Sequence, residues 1–146
     1  MEITEASRKR KIVYVLLMAF LTALILRVFV IEGFIVRGDS MSPTILSGDY
    51  VLVNKLAYVF SEPQRGDVIV TYSRGGIRLV KRVAGLPGEE IKFDEVKNNI
   101  DPGEYFVLGD SMENSIDSRE LGFIDRWDIK GKVFSVFRLY RFIKVY

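Results

Sequence analysis

The sequence predicts a mostly β fold: a small antiparallel β barrel or sandwich preceded by one N-terminal transmembrane helix. Three observations carry this expectation. Ile12–Ile31 is apolar except for Thr22 and Arg27. From Glu32 onward, short runs rich in Val, Ile, Phe and Tyr alternate with clusters of Gly, Pro, Asp and Ser, the pattern of short strands joined by turns. The part after the apolar run, roughly 115 residues, has room for one core and no more.

The apolar run comes first. As a helix its twenty residues span roughly 30 Å, the hydrocarbon thickness of a bilayer. Apolar residues surround that helix, which lacks the polar face of a soluble amphipathic helix. No small-x-small pattern follows at Glu32-Gly33-Phe34-Ile35, which argues against a cleaved leader. Arg27 lies one turn from the end, where its long stem can carry the charge to the headgroups. Arg8-Lys9-Arg10-Lys11 precedes the run, and basic residues are retained on the cytoplasmic side. The expected organisation is therefore a basic cytoplasmic segment (1–11), a membrane span (12–31) and an extracytoplasmic β-rich domain (32–146). The chain is expected to be a single-pass protein of the cell membrane.

Within the outer domain, strands are expected at 34–36, 50–54, 68–72, 79–83, 90–93, 105–108 and 132–137. Ser47-Gly48-Asp49, Arg65-Gly66-Asp67, Arg74-Gly75-Gly76, Leu86-Pro87-Gly88 and Asp101-Pro102-Gly103 are the turns between them. Leu56–Phe60 suits a single helical turn. The C-terminal Phe137–Tyr146 interleaves aromatic and cationic residues, which suits either a last strand with a basic tail or the membrane interface. The net charge of +2 leaves no basic face of the size nucleic-acid binding needs.

The chain contains neither His nor Cys. A Ser-His-Asp triad, a thiol nucleophile and a cysteine-based zinc site are thereby excluded. Covalent hydrolysis would need a lysine or a carboxylate as its base, and Ser-Lys pairs are a known solution. Ser40 lies in Gly38-Asp39-Ser40-Met41-Ser42-Pro43-Thr44, a loop within ten residues of the membrane run. Lys81 lies in the apolar strand Leu79–Val83, where strand alternation gives it the face of Leu79 and Val83. If that face is buried, desolvation favours the neutral amine; if it faces solvent, Lys81 is an ordinary surface cation. A third segment, Leu108–Arg119, is dense in hydroxyls and carboxylates. It reads either as a hydrogen-bonded structural loop or as a shell that orients a base.

Several of these segments, in this order, resemble the bacterial type I signal peptidases, the membrane-bound Ser-Lys peptidases that remove signal peptides from exported proteins. The resemblance runs from Leu24 to Gly131. It rests on Leu26–Val30, Ser40–Thr44, Arg65–Val70, Lys81–Gly88, and Gly109-Asp110 with Asn114–Arg119. It implies Ser40 as nucleophile, Lys81 as general base, and Ser115 as the hydroxyl that orients the lysine. Asp117 and Arg119 would form a buried pair supporting the loop, with Asp110 nearby. The Ser40 N–H would be one oxyanion donor, and Gly38 marks the position where some members place a second. Phe34, Val36, Ile45 and Val80 would line shallow pockets for small residues at −1 and −3. The implied partners are signal peptides and the lipid bilayer; no metal or organic cofactor is required. Two departures stand out: Ser111-Met112 replaces the family's Asn-Arg, and the short stretch 93–101 leaves no room for a second β domain. The alternative is a noncatalytic membrane-tethered β module that binds exported peptides.

Overall fold

The computed structural model describes residues 5–73, 75–91 and 99–138. Helix α1 spans Glu5–Phe29. It begins before the expected membrane boundary at Ile12 and stops short of Ile31. It is long and apolar enough to cross a membrane, and its apolar residues are uncovered by the rest of the protein. Ile31 is instead the first residue of a strand. The apolar run is therefore shared between a helix and a strand.

Seven antiparallel strands follow: β1 (Ile31–Ile35), β2 (Tyr50–Asn54), β3 (Val68–Tyr72), β4 (Arg78–Gly85), β5 (Glu104–Leu108), β6 (Ile124–Asp125) and β7 (Ile129–Phe137). They form one sheet in the order β1-β2-β7-β3-β4-β5-β6. The expected fold class holds, as an open half-barrel with β1 and β6 at its two edges. The strands expected at 50–54 and 68–72 have those bounds. Of the strand expected at 90–93, Glu90 makes an isolated bridge with Asn99, and residues 92–98 lie outside those described. Leu56–Phe60 forms hydrogen-bonded turns rather than a helix. The aromatic and basic tail from 139 onward also lies outside the described residues.

Apolar side chains pack on both faces of the central strands. On one side Val36, Met41, Ile45, Val51, Val53, Val70, Val80 and Val133 form a cluster. On the other, Tyr58, Ile69, Val83, Tyr105, Val107, Ile124 and Ile129 form a second. β3 contributes to both through Val70 and Ile69, as a strand covered on each face must. Two tyrosines of the second cluster carry buried hydroxyls, and both are satisfied: Tyr58 donates to Asp67 (2.8 Å) and Tyr105 to Glu62 (2.8 Å). Burial and the carboxylate acceptor push the Tyr105 hydroxyl up to about 12.

β7 approaches the end of β2 closely. Gly131, opposite Val70 in β3, permits this. A Cβ at Gly131 would lie 2.5 Å from the Asn54 carbonyl oxygen and 2.8 Å from Val53 Cγ1. The obstacle includes backbone, which cannot turn aside. Gly131→Ala is accordingly expected to destabilise the folded domain by about 1–3 kcal/mol, the usual cost of overpacking. Denaturant titration of the detergent-solubilised protein followed by circular dichroism in the β-sheet region checks this; an unchanged midpoint would contradict the close packing.

Candidate active site

Three segments meet at the end of β4 that adjoins β5. The first, residues 36–49, leaves β1 and carries Ser40. Met41 and Ile45, four residues apart, are both 1% exposed and anchor the loop in the core. The Ile45 N–H donates to the Met41 carbonyl, and the Ser42 N–H to that of Asp39. With its neighbours buried below it, Ser40 is left half-buried at the surface. A Ser or Met side chain alone carries no such information; the alternation of anchored and unanchored positions does.

The second segment is β4 itself. Lys81 stands opposite Ile69 of β3, which is fully buried, and shares that face with Val83. It is 1% exposed. The two readings of this strand face are thus resolved in favour of the buried one. Burial pushes the lysine amine below its ordinary value, against the pull of the Asp117 carboxylate.

The third segment joins β5 to the short helix α2 (Ser118–Leu121). Lys81 Nζ donates to Ser115 Oγ (2.9 Å), and Ser115 Oγ donates to Asp117 Oδ2 (2.7 Å). Asp117 also accepts from the Gly109 N–H (2.9 Å) and from the Arg119 guanidinium at both oxygens (2.8 and 2.9 Å). Asp117 is completely buried and caps α2 by accepting from the Arg119 N–H. Burial alone would raise its pKa, but Arg119, the Gly109 N–H and Ser115 together hold the carboxyl at about 2. Since an ionised carboxylate can only accept, the single Ser115 hydroxyl proton is committed to Asp117. Ser115 must then accept from Lys81, which leaves the lone pair of a neutral amine free for another group.

Ser40 is joined to this same loop. The Ser40 carbonyl accepts from the Ser111 N–H (3.1 Å). A Cβ at Gly109 would fall 2.2 Å from Ser115 Oγ and 2.4 Å from the Ser40 carbonyl oxygen. Gly109 is therefore the point where the Ser40 loop and the Ser115–Asp117 chain touch. Only a residue without a side chain fits there.

The remaining expected residues fall into two groups. Asp110 lies near the Asp117–Arg119 pair in sequence but takes different partners. It forms a two-pronged ion pair with Arg82 (2.8 and 2.7 Å) and bonds the Thr44 side chain. It thereby ties the Ser40 loop to β4 at the residue after Lys81. Arg82 and Thr44 are positioning residues that the sequence reading did not single out; the adjacency of Arg82 to Lys81 was the available signal. Phe34, Val36 and Val80 line a cleft of about 270 Å³ together with Ser40, Ile35, Arg37, Arg78 and Leu79. Ile45 does not line it and lies in the core beneath, at 1% exposure. The Gly38 N–H donates to Ser47 Oγ (3.2 Å). Arg119, expected in a buried pair, is half-buried.

The cleft has an unusual floor plan for a sheet. β4 pairs with β3 along Arg78–Arg82, but with β5 only from Arg82 onward. Among the described residues, the β5-side edge of Arg78–Lys81 has no strand partner, and β1 pairs only with β2, so its outer edge is also unpaired. These two edges face one another across the cleft, held by an ion pair between Arg78 and Glu32 (2.9 Å). One extended peptide can hydrogen-bond to such edges.

Comparison with known proteins identifies the family. A family signature described as signal peptidase, peptidase S26, matches residues 9–97 and 92–138. Signal peptidase I of Bacillus caldolyticus is 34% identical over 74% of this chain and 80% of its own length. A protein of Staphylococcus aureus (strain COL) named inactive signal peptidase IA is 32% identical over 81% of this chain and 85% of its own. The crystal structure of a signal peptidase I from Enterococcus faecalis V583 shows 28% identity over 51% of this chain and 98% of that chain, with a TM-score of 0.42. On its sequence from α1 through β7, this chain belongs to the signal peptidase family, peptidase S26.

Proposed function

We propose that this chain is a catalytically active, membrane-anchored serine endopeptidase that cleaves signal peptides from exported preproteins with a Ser40–Lys81 dyad. The observation that carries the proposal is the buried Lys81 amine, held by Ser115 on the loop that also binds the Ser40 backbone. Family membership alone does not decide activity, since a relative of similar identity is named inactive. The residues of this chain favour the active reading: a half-buried serine lining the cleft and a lysine whose charged form is disfavoured by burial.

In the proposed reaction a preprotein segment enters the cleft as a strand between β1 and β4. Phe34, Val36 and Val80 give shallow apolar walls that suit small side chains at −1 and −3. Ser40 Oγ attacks the scissile carbonyl while neutral Lys81 takes the hydroxyl proton. The Ser40 N–H stabilises the oxyanion. The tetrahedral species collapses, Lys81 returns its proton to the leaving amine, and an acyl-enzyme remains on Ser40. Water then gives up a proton to Lys81 as it attacks the ester, and that proton returns to Ser40 Oγ as the acid product leaves. Ser115 fixes the amine rotamer, and Asp117 with Arg119 fixes Ser115.

The membrane placement belongs to the same proposal. Arg8–Lys11 at the start of α1 favours a cytoplasmic N-terminus and an extracytoplasmic β domain. Lys55 donates to the Val28 carbonyl (2.7 Å) and its N–H to that of Val30 (2.8 Å), fastening the domain to the end of α1. Nearly fully exposed Phe60 and Trp127 suit contact with the lipid interface.

The alternative, a noncatalytic peptide-binding module, is separated from this reading by three measurements. Ser40→Ala and Lys81→Met should each abolish cleavage of a preprotein with an Ala-x-Ala junction by the detergent-solubilised enzyme, with circular dichroism unchanged. Cleavage surviving either substitution would refute the dyad, and no cleavage by the parent protein would favour the module. Ser115→Ala should lower kcat by about 100-fold, as misplacing a catalytic group by an ångström does, with a much smaller change in KM. A raised KM with kcat unchanged would assign Ser115 to binding instead. Finally, Lys81 works only when deprotonated, and burial sets its pKa below 10.5. The rate should therefore climb with pH through neutrality and level off on the alkaline side. A maximum near pH 5 would contradict a lysine base.

A further inference from the structure

The cleft that begins at Ser40 ends at a charged boundary. Arg78, the first residue of β4, reaches across the gap between the two unpaired edges. Its guanidinium carbon lies 4.8 Å from the Phe34 ring centroid, stacked on a residue of β1. One terminal nitrogen is 2.9 Å from Glu32 Oε1, and the other donates to the Tyr72 hydroxyl at 3.4 Å. Both members of the ion pair are more than a third exposed, so the pair is open to a competing partner. Beyond it lies a second cavity of about 230 Å³, lined by Arg78, Lys55 and Lys130 against the single carboxylate of Glu32. Lys130 Nζ also stands 5.8 Å from the Tyr72 ring centroid. Three cations face one anion at this end.

A length argument places a substrate here. Arg78 and Lys81 are three residues apart in one strand, about 10 Å. An extended peptide beside that strand covers the same distance in about three residues. If its scissile carbonyl is at Ser40, and −1 and −3 lie over Phe34, Val36 and Val80, then −4 and −5 reach Arg78. A guanidinium carries five donor hydrogens in a planar fork, and its contacts with Glu32 and Tyr72 leave donors for a second carboxylate.

We propose that Arg78 is a specificity-determining residue, and that the electropositive end of the cleft selects preproteins with an acidic rather than a basic side chain at −4 or −5. This rests on the peptidase reading above, and it concerns which peptides that site prefers. Glu32 acts as the resident competitor: it holds Arg78 in place when the cleft is empty and yields to a substrate carboxylate.

The test is kcat/KM for one preprotein with an Ala-x-Ala junction carrying Glu, Ala or Lys at −4, and then at −5. At low salt, Glu should exceed Lys by about two- to fivefold at one of these positions, the scale expected for half-exposed ion pairs. The preference should shrink as ionic strength rises. Arg78→Ala should flatten the Glu-to-Lys ratio towards one, and Glu32→Gln should enlarge it by removing the competitor. The unmodified enzyme alone already decides the matter, should Arg78→Ala fail to fold. Efficient cleavage of the Ala substrate with equal rates for Glu and Lys at both positions would overturn this inference and leave the peptidase reading standing. A ratio that persists in folded Arg78→Ala would likewise overturn it. No cleavage of any substrate would remove the peptidase reading, and this inference with it.

Discussion

The local architecture hangs on one buried carboxylate. Asp117 has no access to solvent, yet it is ionised, because Arg119, Ser115 and two backbone N–H groups converge on its two oxygens. A buried charge without such partners would be costly; with them it becomes a fixed point around which a loop can be ordered. The carboxylate sets the direction of the Ser115 hydroxyl, and that hydroxyl sets the lysine amine. The same oxygen that receives the Ser115 proton also receives the Gly109 N–H, so the floor under Ser40 and the holder of Lys81 share one anchor. Removing the charge would loosen both at once.

A second constraint comes from incomplete pairing in the sheet. β4 is longer than the portion β5 covers, and among the described residues β1 has no neighbour on its outer side. Exposed edges of this kind usually invite aggregation and are blunted by charges or covered. Here the curl of the sheet turns the two edges toward each other, and Arg78, stacked on Phe34 and paired with Glu32, closes the far end. The result is a channel with one strand missing. Backbone pairing can supply affinity for many sequences, while the shallow walls limit side-chain size close to Ser40. A peptide site built this way reads backbone first and side chains second.

The fold was legible where local pattern and final environment agreed. β2 and β3 matched their expected bounds because their apolar residues either alternate or run on, as strands buried on one or both faces do. β1 was misplaced toward Val36 because Ile31 continues the apolar run of α1, and an apolar β-branched residue does not announce whether it ends a helix or opens a strand. Helix α2 went unread, although Asp117 followed three residues later by Glu120 is a helix N-terminal signature. The family resemblance places Asp110 near the Asp117–Arg119 pair. In space it belongs to Arg82 and Thr44, since successive loop residues can point to different neighbours.

By itself the sequence determined the class of chemistry and the general plan. Lacking histidine and cysteine, any hydrolytic base had to be a lysine or a carboxylate; a long apolar run had to be a helix outside the core; and short β-rich runs had to form a small antiparallel sheet. Only the tertiary structure decided the rest. The strand pattern left open whether Lys81 faced water or the core, and the choice depended on β3 lying opposite it with Ile69 and on Ser115 arriving from a segment 34 residues away. Whether Ile45 lined a pocket or filled the core was likewise a matter of which side of the loop met the sheet. Composition fixes what a side chain can do. Long-range packing fixes how much water it keeps, and that sets whether a lysine is a cation or a base.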